Sequence, residues 1–206
     1  MENKNIKIVG CTHLWKKEQI LSEIESFSPD IIGVELCKTR FDLLVQPKLE
    51  KQEFKEGVGL IDKISKAILE KSKNEGINYA EDQITASRYA LENKIPLALL
   101  DRDIMETKRL MELLPQNEMQ GFLTELMNFE SKTLGEQTKN LNEVEVLNQL
   151  RTKYPVAFEF LVTSRDLFIA FKILKLMKDH QQKRVICFLG KGHTEGIKNL
   201  LDLKGG

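Results

Sequence analysis

Four short apolar runs, separated by stretches of mixed polarity, give the chain its organisation. They cover residues 6–9, 31–36, 96–100 and 185–189. Apolar runs of this length are typical of strands buried on both faces of a parallel sheet. Between them, apolar residues recur every three or four positions, which is the spacing of helices with one buried face. The pattern predicts an α/β fold with a four-stranded, mainly parallel core sheet and flanking helices.

The helical spacing also predicts where the helices lie. The predicted helices cover residues 17–27, 38–44, 48–73, 82–93, 104–114, 118–134, 142–152 and 155–180, with a closing helix that starts near Thr194. Those from 104 to 180 form a large helical block between the third and fourth strands. No linker rich in proline, glycine or serine divides the chain, so we interpret residues 1–206 as one domain.

Composition narrows the classes of function. Lysine plus arginine and aspartate plus glutamate both number 31, and this balance gives no support for a nucleic-acid partner, which favours a basic face. No apolar run approaches the ~20 residues of a membrane span, and the first residues lack the apolar core of a signal peptide. Cys11, Cys37 and Cys187 show no paired spacing. We therefore expect reduced thiols in a cytoplasmic protein.

Two histidines occur in the same local setting near opposite ends of the chain. The first strand is followed by Gly10 and His13, and the fourth by Gly190 and His193, so Gly-x-x-His occurs twice. The carboxyl ends of parallel strands lie at one edge of a sheet, where open α/β folds bind ligands. We therefore expect both imidazoles at that edge. A single Gly-x-x-His is a weak signal, and the repetition at matched strand ends strengthens it.

Acidic residues follow the same edge. Glu35 lies near the end of the second apolar run, and Asp101 follows the third. A buried carboxylate is costly unless it is paired or binds a metal. Two interpretations of Glu35 are open: an ion pair with Arg40, Arg102 or Arg165, or metal ligation.

Two imidazoles and a carboxylate are the usual minimum for a catalytic divalent metal with an open position for water. The predicted ligands are His13, Glu35 and His193, which suit zinc, manganese or cobalt. A nucleotide site is disfavoured, since the glycines at 190, 192 and 196 do not have the Gly-x-Gly-x-x-Gly spacing.

Five short motifs follow one another along nearly the whole chain. They are Gly10–His13, Val34-Glu35-Leu36 with Arg40, Leu100–Asp103 with Thr107 and Arg109, Ser164-Arg165-Asp166, and Gly190–His193 with Gly196-Ile197. In this order and spacing they resemble the TraB family, also called the pheromone-shutdown family. That family is related to the Tiki metalloproteases and, more distantly, to the erythromycin esterases and the ChaN haem-binding proteins. Cys37 and Ser164 depart from the pattern, since each stands where the family carries an acid.

The resemblance implies a metal-dependent hydrolase of the peptidase kind, acting on a peptide or amide substrate. Glu35 would ligate the metal or serve as general base, and Arg40, Arg102 or Arg165 would stabilise an oxyanion or hold a substrate carboxylate. The alternative is a non-enzymatic regulatory module that binds a peptide or haem at the same edge. Many family members carry a membrane-spanning C-terminal region, which this sequence lacks, so we expect a protein without a membrane span. The sequence leaves the oligomeric state open, with a homodimer as one possibility.

Overall fold

The structure, a computed structural model, describes residues 5–11, 15–46, 80–133 and 143–203. It confirms the predicted α/β fold. Its described residues contain a four-stranded sheet in the order β1-β4-β2-β3, in which every neighbouring pair is parallel. The strands are β1 (Ile6–Cys11), β2 (Ile31–Val34), β3 (Leu97–Leu99) and β4 (Val185–Gly190). The predicted helix over 48–73 lies outside the described residues.

Strand β4 is central, between β1 and β2, although it follows both in the sequence. Its register pairs Gly190 with Cys11 of β1 and Phe188 with Val34 of β2. Every residue of β2 is buried, as is every residue of β4 except Gly190. The continuous apolar runs of these two strands follow from burial on both faces. Because the strands are parallel and in register, the residues that follow β2, β3 and β4 emerge at the edge where β1 also ends.

Helices cover both faces of this sheet. They are α1 (Lys17–Phe27), α2 (Lys38–Leu44), α3 (Glu81–Glu92), α4 (Ile104–Glu112), α5 (Gln116–Thr133), α6 (Glu143–Lys153), α7 (Pro155–Phe158), α8 (Ser164–Asp179) and α9 (Lys191–Leu200). Helices α1, α2 and α3 pack on one face through a core that includes Ile20, Phe41 and Ala86. Helices α8 and α9 pack on the other, through Ile169 and Ile197 among others.

The helical block forms a third apolar cluster. Its buried members are Met111, Leu114, Phe122, Leu123, Leu150, Ala157 and Phe158. Glu118 of α5 accepts hydrogen bonds from the backbone N–H groups of Val156 and Ala157, at 3.0 and 3.1 Å. A carboxylate is favourable there, because the first N–H groups of a helix lack partners within it. The block therefore has its own core and does not depend on the sheet for all its packing.

The predicted helix over 155–180 is interrupted in the structure. Between α7 and α8 the chain forms a π-helical turn over Glu159–Thr163, in which the backbone N–H of Ser164 donates to the carbonyl of Glu159. Apolar spacing did not reveal this turn, because one extra residue alters the helical period only locally. No helix among the described residues is both long and apolar enough to cross a membrane.

Candidate functional site

Glu35 lies at the centre of the sheet's carboxyl edge. Strand β2 ends at Val34, so the carboxylate comes directly after the strand, and its residue is 8% exposed. Oxygen Oε2 accepts the backbone N–H of Gly190 at 2.6 Å, and Oε1 accepts Nη2 of Arg165 at 2.6 Å. The backbone N–H of Glu35 donates to Oε1 of Gln83 at 2.7 Å. Of the two interpretations open for Glu35, the described contacts show the ion pair with Arg165.

Arg165 connects the acidic groups of the site. Its Nε and Nη2 donate to the two carboxylate oxygens of Asp101 at 2.9 and 2.7 Å, a bidentate pair. Its Nη2 also reaches Glu35, and Nη1 lies 3.1 Å from Nε2 of His193. The Glu35 and Asp101 side chains are only 9% and 6% exposed. The guanidinium therefore compensates two carboxylates that burial would otherwise disfavour.

His193 is held on its other side by an acid that follows Arg165 in the sequence. Nδ1 of the imidazole lies 2.6 Å from Oδ1 of Asp166, a buried residue of α8. A carboxylate accepts and a guanidinium donates, so these partners favour the tautomer with a proton on Nδ1 and a lone pair on Nε2. The side chain of His193 is 17% exposed. The imidazole thus presents a basic nitrogen with a fixed orientation.

Arg40 is the more loosely held arginine of the edge. Its Nη1 lies 3.5 Å from the backbone carbonyl of Glu35 and 3.5 Å from Oδ2 of Asp101. Its side chain is 20% exposed. Among the described residues its other N–H groups have no hydrogen-bond partner, so they remain available to an incoming ligand.

Arg102 faces the helical block. Its Nε donates to Thr107, Nη1 to the hydroxyl of Ser164 and Nη2 to the carbonyl of Phe160, at 3.1, 2.9 and 2.8 Å. The residue is 6% exposed. Burial lowers the pKa of its guanidinium, and the nearby charge of Arg165 lowers it further. Arg102 is thus close to the site, and the described structure places its donors on other groups.

The structure brings together much of the predicted set. Glu35, Arg40, Arg165 and His193 meet at one edge, as do the ends of β1 and β4. His13 lies outside the described residues, so its place at this edge stays a prediction. Asp166 and Gln83 were not among the predicted site residues. The Ser-Arg-Asp motif pointed to Asp166, whereas nothing in the sequence distinguished Gln83 from other helical glutamines.

The cysteines are buried and unpaired. Burial raises the pKa of the Cys187 thiol to about 12, and burial followed by the charge of Asp82 raises that of Cys11 above its usual range. Both therefore stay protonated at neutral pH and are poor nucleophiles, since the thiolate is the reactive form.

The charge state of Glu35 follows from its neighbours. Burial raises the pKa of this carboxyl, but the positive charge of Arg165, together with His193, the Gly190 N–H and Arg40, lowers it more. The net pKa is below the usual 4.5. Glu35 is therefore an ionised acceptor at neutral pH.

This shift gives a stability prediction. A depressed pKa in the folded state stabilises the fold fully above the ordinary value of 4.5, and this contribution is lost as pH falls through the folded value. The difference in unfolding free energy between wild type and Glu35→Gln should therefore shrink on acidification below about pH 4.5. Urea titrations across that range measure it, with exposed Glu92→Gln as the control for loss of one carboxylate. A difference that is constant with pH would contradict the prediction.

Gly196 of α9 lies against Asp166. A Cβ built at Gly196 would clash with Oδ2 of this carboxylate, whereas one at Gly192 would meet nothing within 4 Å. Only glycine lets α9 approach α8 closely enough for the carboxylate to reach His193.

Gly196→Ala should therefore displace Asp166 and destabilise the fold by about 1–3 kcal/mol, the usual cost of overpacking. Gly192→Ala is the matched control in the same helix, and it should leave stability unchanged or slightly increased. Thermal unfolding of the two variants measures the contrast. Equal melting temperatures would show that α8 and α9 separate without cost.

Comparison with known proteins gives a relative but no function. No family model matches the chain. It is 29% identical over 214 aligned residues to an uncharacterized protein of Methanocaldococcus jannaschii. The alignment covers 96% of this chain and 53% of the relative, so the chain spans about half the length of the curated relative it matches.

Proposed function

We propose that this protein is a hydrolase that directs water onto a peptide or amide carbonyl at the carboxyl edge of the sheet. The observation that carries the proposal is the Asp166–His193 pair, at 2.6 Å, whose Nε2 faces the cluster of Arg165 and Glu35. A carboxylate that fixes Nδ1–H leaves Nε2 as the acceptor, which is the arrangement of a general base.

In the proposed reaction, the attacking water takes the place of Arg165 at Nε2 of His193. The imidazole accepts the water proton as oxygen bonds to the carbonyl carbon, and Asp166 stabilises the imidazolium that forms. The same proton is then donated to the leaving amine, so that the C–N bond breaks and the acid and amine products separate.

Arg40 is the proposed partner of the oxygen that gains negative charge. Its N–H groups that have no partner among the described residues, and its partial exposure at the edge, support this role. Glu35 is ionised and already engaged by the Gly190 N–H and Arg165. We therefore assign Glu35 to holding the guanidinium and the end of β4 in place.

The divalent metal is a separate part of the proposal. Among the described residues no three histidine, cysteine, aspartate or glutamate side chains form a metal-binding group. Arg165 contacts both Glu35 and His193, so these described residues do not by themselves fit a dication. Ligation would need His13 and displacement of the guanidinium. A bound metal would supply a water of lowered pKa.

The proposed metal site is tested by metal binding to the wild type and to histidine variants. Isothermal titration with Mn²⁺, Co²⁺ and Zn²⁺ should show binding that His13→Ala and His193→Ala each weaken sharply and that His180→Ala does not. Binding should also weaken in acid, because only neutral imidazole ligates a metal. Equal metal binding by wild type and His193→Ala would contradict the metal hypothesis. The hydrolase proposal would then depend on the turnover assay alone.

An assay of substrate turnover tests the hydrolase proposal. Wild type and the variants His193→Ala and His180→Ala are assayed against a panel of peptide p-nitroanilides and p-nitrophenyl esters, with and without chelator. His180 is the matched control, an exposed histidine at the end of α8. We expect turnover by wild type and His180→Ala and background rates for His193→Ala. Peptide or hemin binding without any turnover would favour the non-enzymatic module instead.

A further inference from the structure

The π-helical turn of Glu159–Thr163 stands directly before two residues of the site. A π turn holds one residue more than an α-helical turn, and each residue rotates a helix by about 100°. Residues Arg165 and Asp166 follow within three positions and reach opposite nitrogens of the same imidazole. The extra residue therefore sets the direction in which both side chains leave α8.

The turn also leaves a backbone carbonyl to be satisfied. In an α-helix the carbonyl of Phe160 would accept the N–H of Ser164, but that N–H donates to Glu159. The Phe160 carbonyl instead accepts Nη2 of Arg102 at 2.8 Å and the hydroxyl of Ser164 at 2.6 Å. The same hydroxyl accepts Nη1 of Arg102 at 2.9 Å.

The guanidinium of Arg102 binds this turn and the hydroxyl of Ser164 that follows it. None of the hydrogen bonds that its guanidinium makes among the described residues goes to a carboxylate: the acceptors are a backbone carbonyl and the hydroxyls of Ser164 and Thr107. A buried guanidinium is costly, and hydrogen bonds must compensate it. The preceding residue, Asp101, binds the side chain of Arg165. Two consecutive residues after β3 thus hold the segment that leads into α8. Arg102 binds the backbone carbonyl of Phe160, and Asp101 binds the side chain of Arg165.

We propose that Arg102 is a positioning residue that stabilises the π turn and thereby sets the Asp166–His193 pair. The reaction it serves rests on the proposed function. The effect of Arg102 on the Asp166–His193 pair does not depend on that function, because the state of the His193 ring can be measured without a substrate.

The experiment compares Arg102→Met with Arg109→Met, an exposed arginine of α4. Nitrogen-15 spectra of the histidine rings, assigned with His193→Ala and His180→Ala, report the tautomer of His193. We expect the Nδ1-protonated form in wild type and Arg109→Met. In Arg102→Met the tautomer mixture should shift toward that of Asp166→Asn. An unchanged His193 spectrum in folded Arg102→Met would overturn the proposal and leave the hydrolase intact.

Two further variants keep the proposal testable if Arg102→Met does not fold. Ser164→Ala removes the hydroxyl shared by Arg102 and Phe160, and it should shift the tautomer in the same direction but less. Arg102→Lys should restore part of the wild-type spectrum, since an ammonium can still donate to the Phe160 carbonyl. If folded Ser164→Ala keeps the wild-type ring signals of His193, the contacts of Arg102 with the π turn do not set the Asp166–His193 pair.

Where a substrate is found, a double-mutant cycle adds a second readout. Arg102→Met should lower kcat by up to about 100-fold, the effect of misplacing a catalytic group by roughly 1 Å. It should lower kcat little further in an Asp166→Asn background, because both changes act on the same imidazole. Full additivity would contradict action through Asp166.

Discussion

Asp166→Asn is expected to lower kcat by about 10³-fold while leaving the fold intact. An asparagine side chain can still meet Nδ1 of His193, but its amide can donate to that nitrogen, which stabilises the tautomer with the proton on Nε2. The ring then presents an N–H where the reaction needs a lone pair. The loss should approach that of His193→Ala, since residues that act as one unit are not additive.

Steady-state kinetics with the best substrate of the panel checks this result. KM should change much less than kcat, because Asp166 is buried and contacts Nδ1 of His193, on the opposite side of the ring from Nε2, where the reaction is proposed. Asp179→Asn, at the exposed end of α8, is the matched control. A wild-type kcat in Asp166→Asn would mean that His193 does not act as a base.

Arg165→Met is expected to destabilise the fold by about 3–5 kcal/mol, the usual cost of removing one partner from a buried ion pair. The methionine fills much of the space but leaves the carboxylates of Glu35 and Asp101 buried without their main cation. For a chain of this size each kcal/mol lowers the melting temperature by roughly 2–4 °C, so calorimetry should resolve the effect easily. Arg88→Met, on the exposed side of α3, should change little.

A rescue experiment separates lost charge from lost packing. Neutralising the acids, with Glu35→Gln and Asp101→Asn in the Arg165→Met background, should recover part of the lost stability, because a neutral amide is cheaper to bury than an unpaired carboxylate. Should the triple variant be less stable than Arg165→Met, the packing and hydrogen bonds of Arg165 matter more than its charge.

The fold was largely predictable from the apolar pattern. Helices α1 and α2 have the predicted bounds, and the apolar runs predicted the four strands to within two residues at each end. These features depend on local spacing and on which side chains are buried, and both can be deduced from a sequence. Strand order could not be deduced in this way, because it depends on contacts between distant segments. Parallel pairing followed from the alternation of strands and helices.

The site was predictable where a motif marked it. Glu35, Arg165 and His193 were found from strand ends and short motifs, and they meet as expected. Asp166 and Gln83 were missed because their roles come from the approach of other elements, α9 in one case and β2 in the other. Arg102 was one of three arginines to which the family resemblance gave a role in binding an oxyanion or a substrate carboxylate. The turn that it binds arises from a single extra residue, which apolar spacing does not reveal.

The central place of β4 has a consequence for how the chain folds during synthesis. The ribosome delivers β1 and β2 long before β4, and the pairings β1–β4 and β4–β2 both wait for that strand. Until then the edges of β1 and β2 that pair with β4 lack a partner, a condition that favours aggregation and chaperone binding. Sheet closure across such a sequence separation is slow. Because Gly190 brings the hydrogen bond to Glu35 and is followed by His193, completion of the core and assembly of the site coincide. A nascent chain from which β4 has not yet emerged should therefore have neither a complete core nor an assembled site.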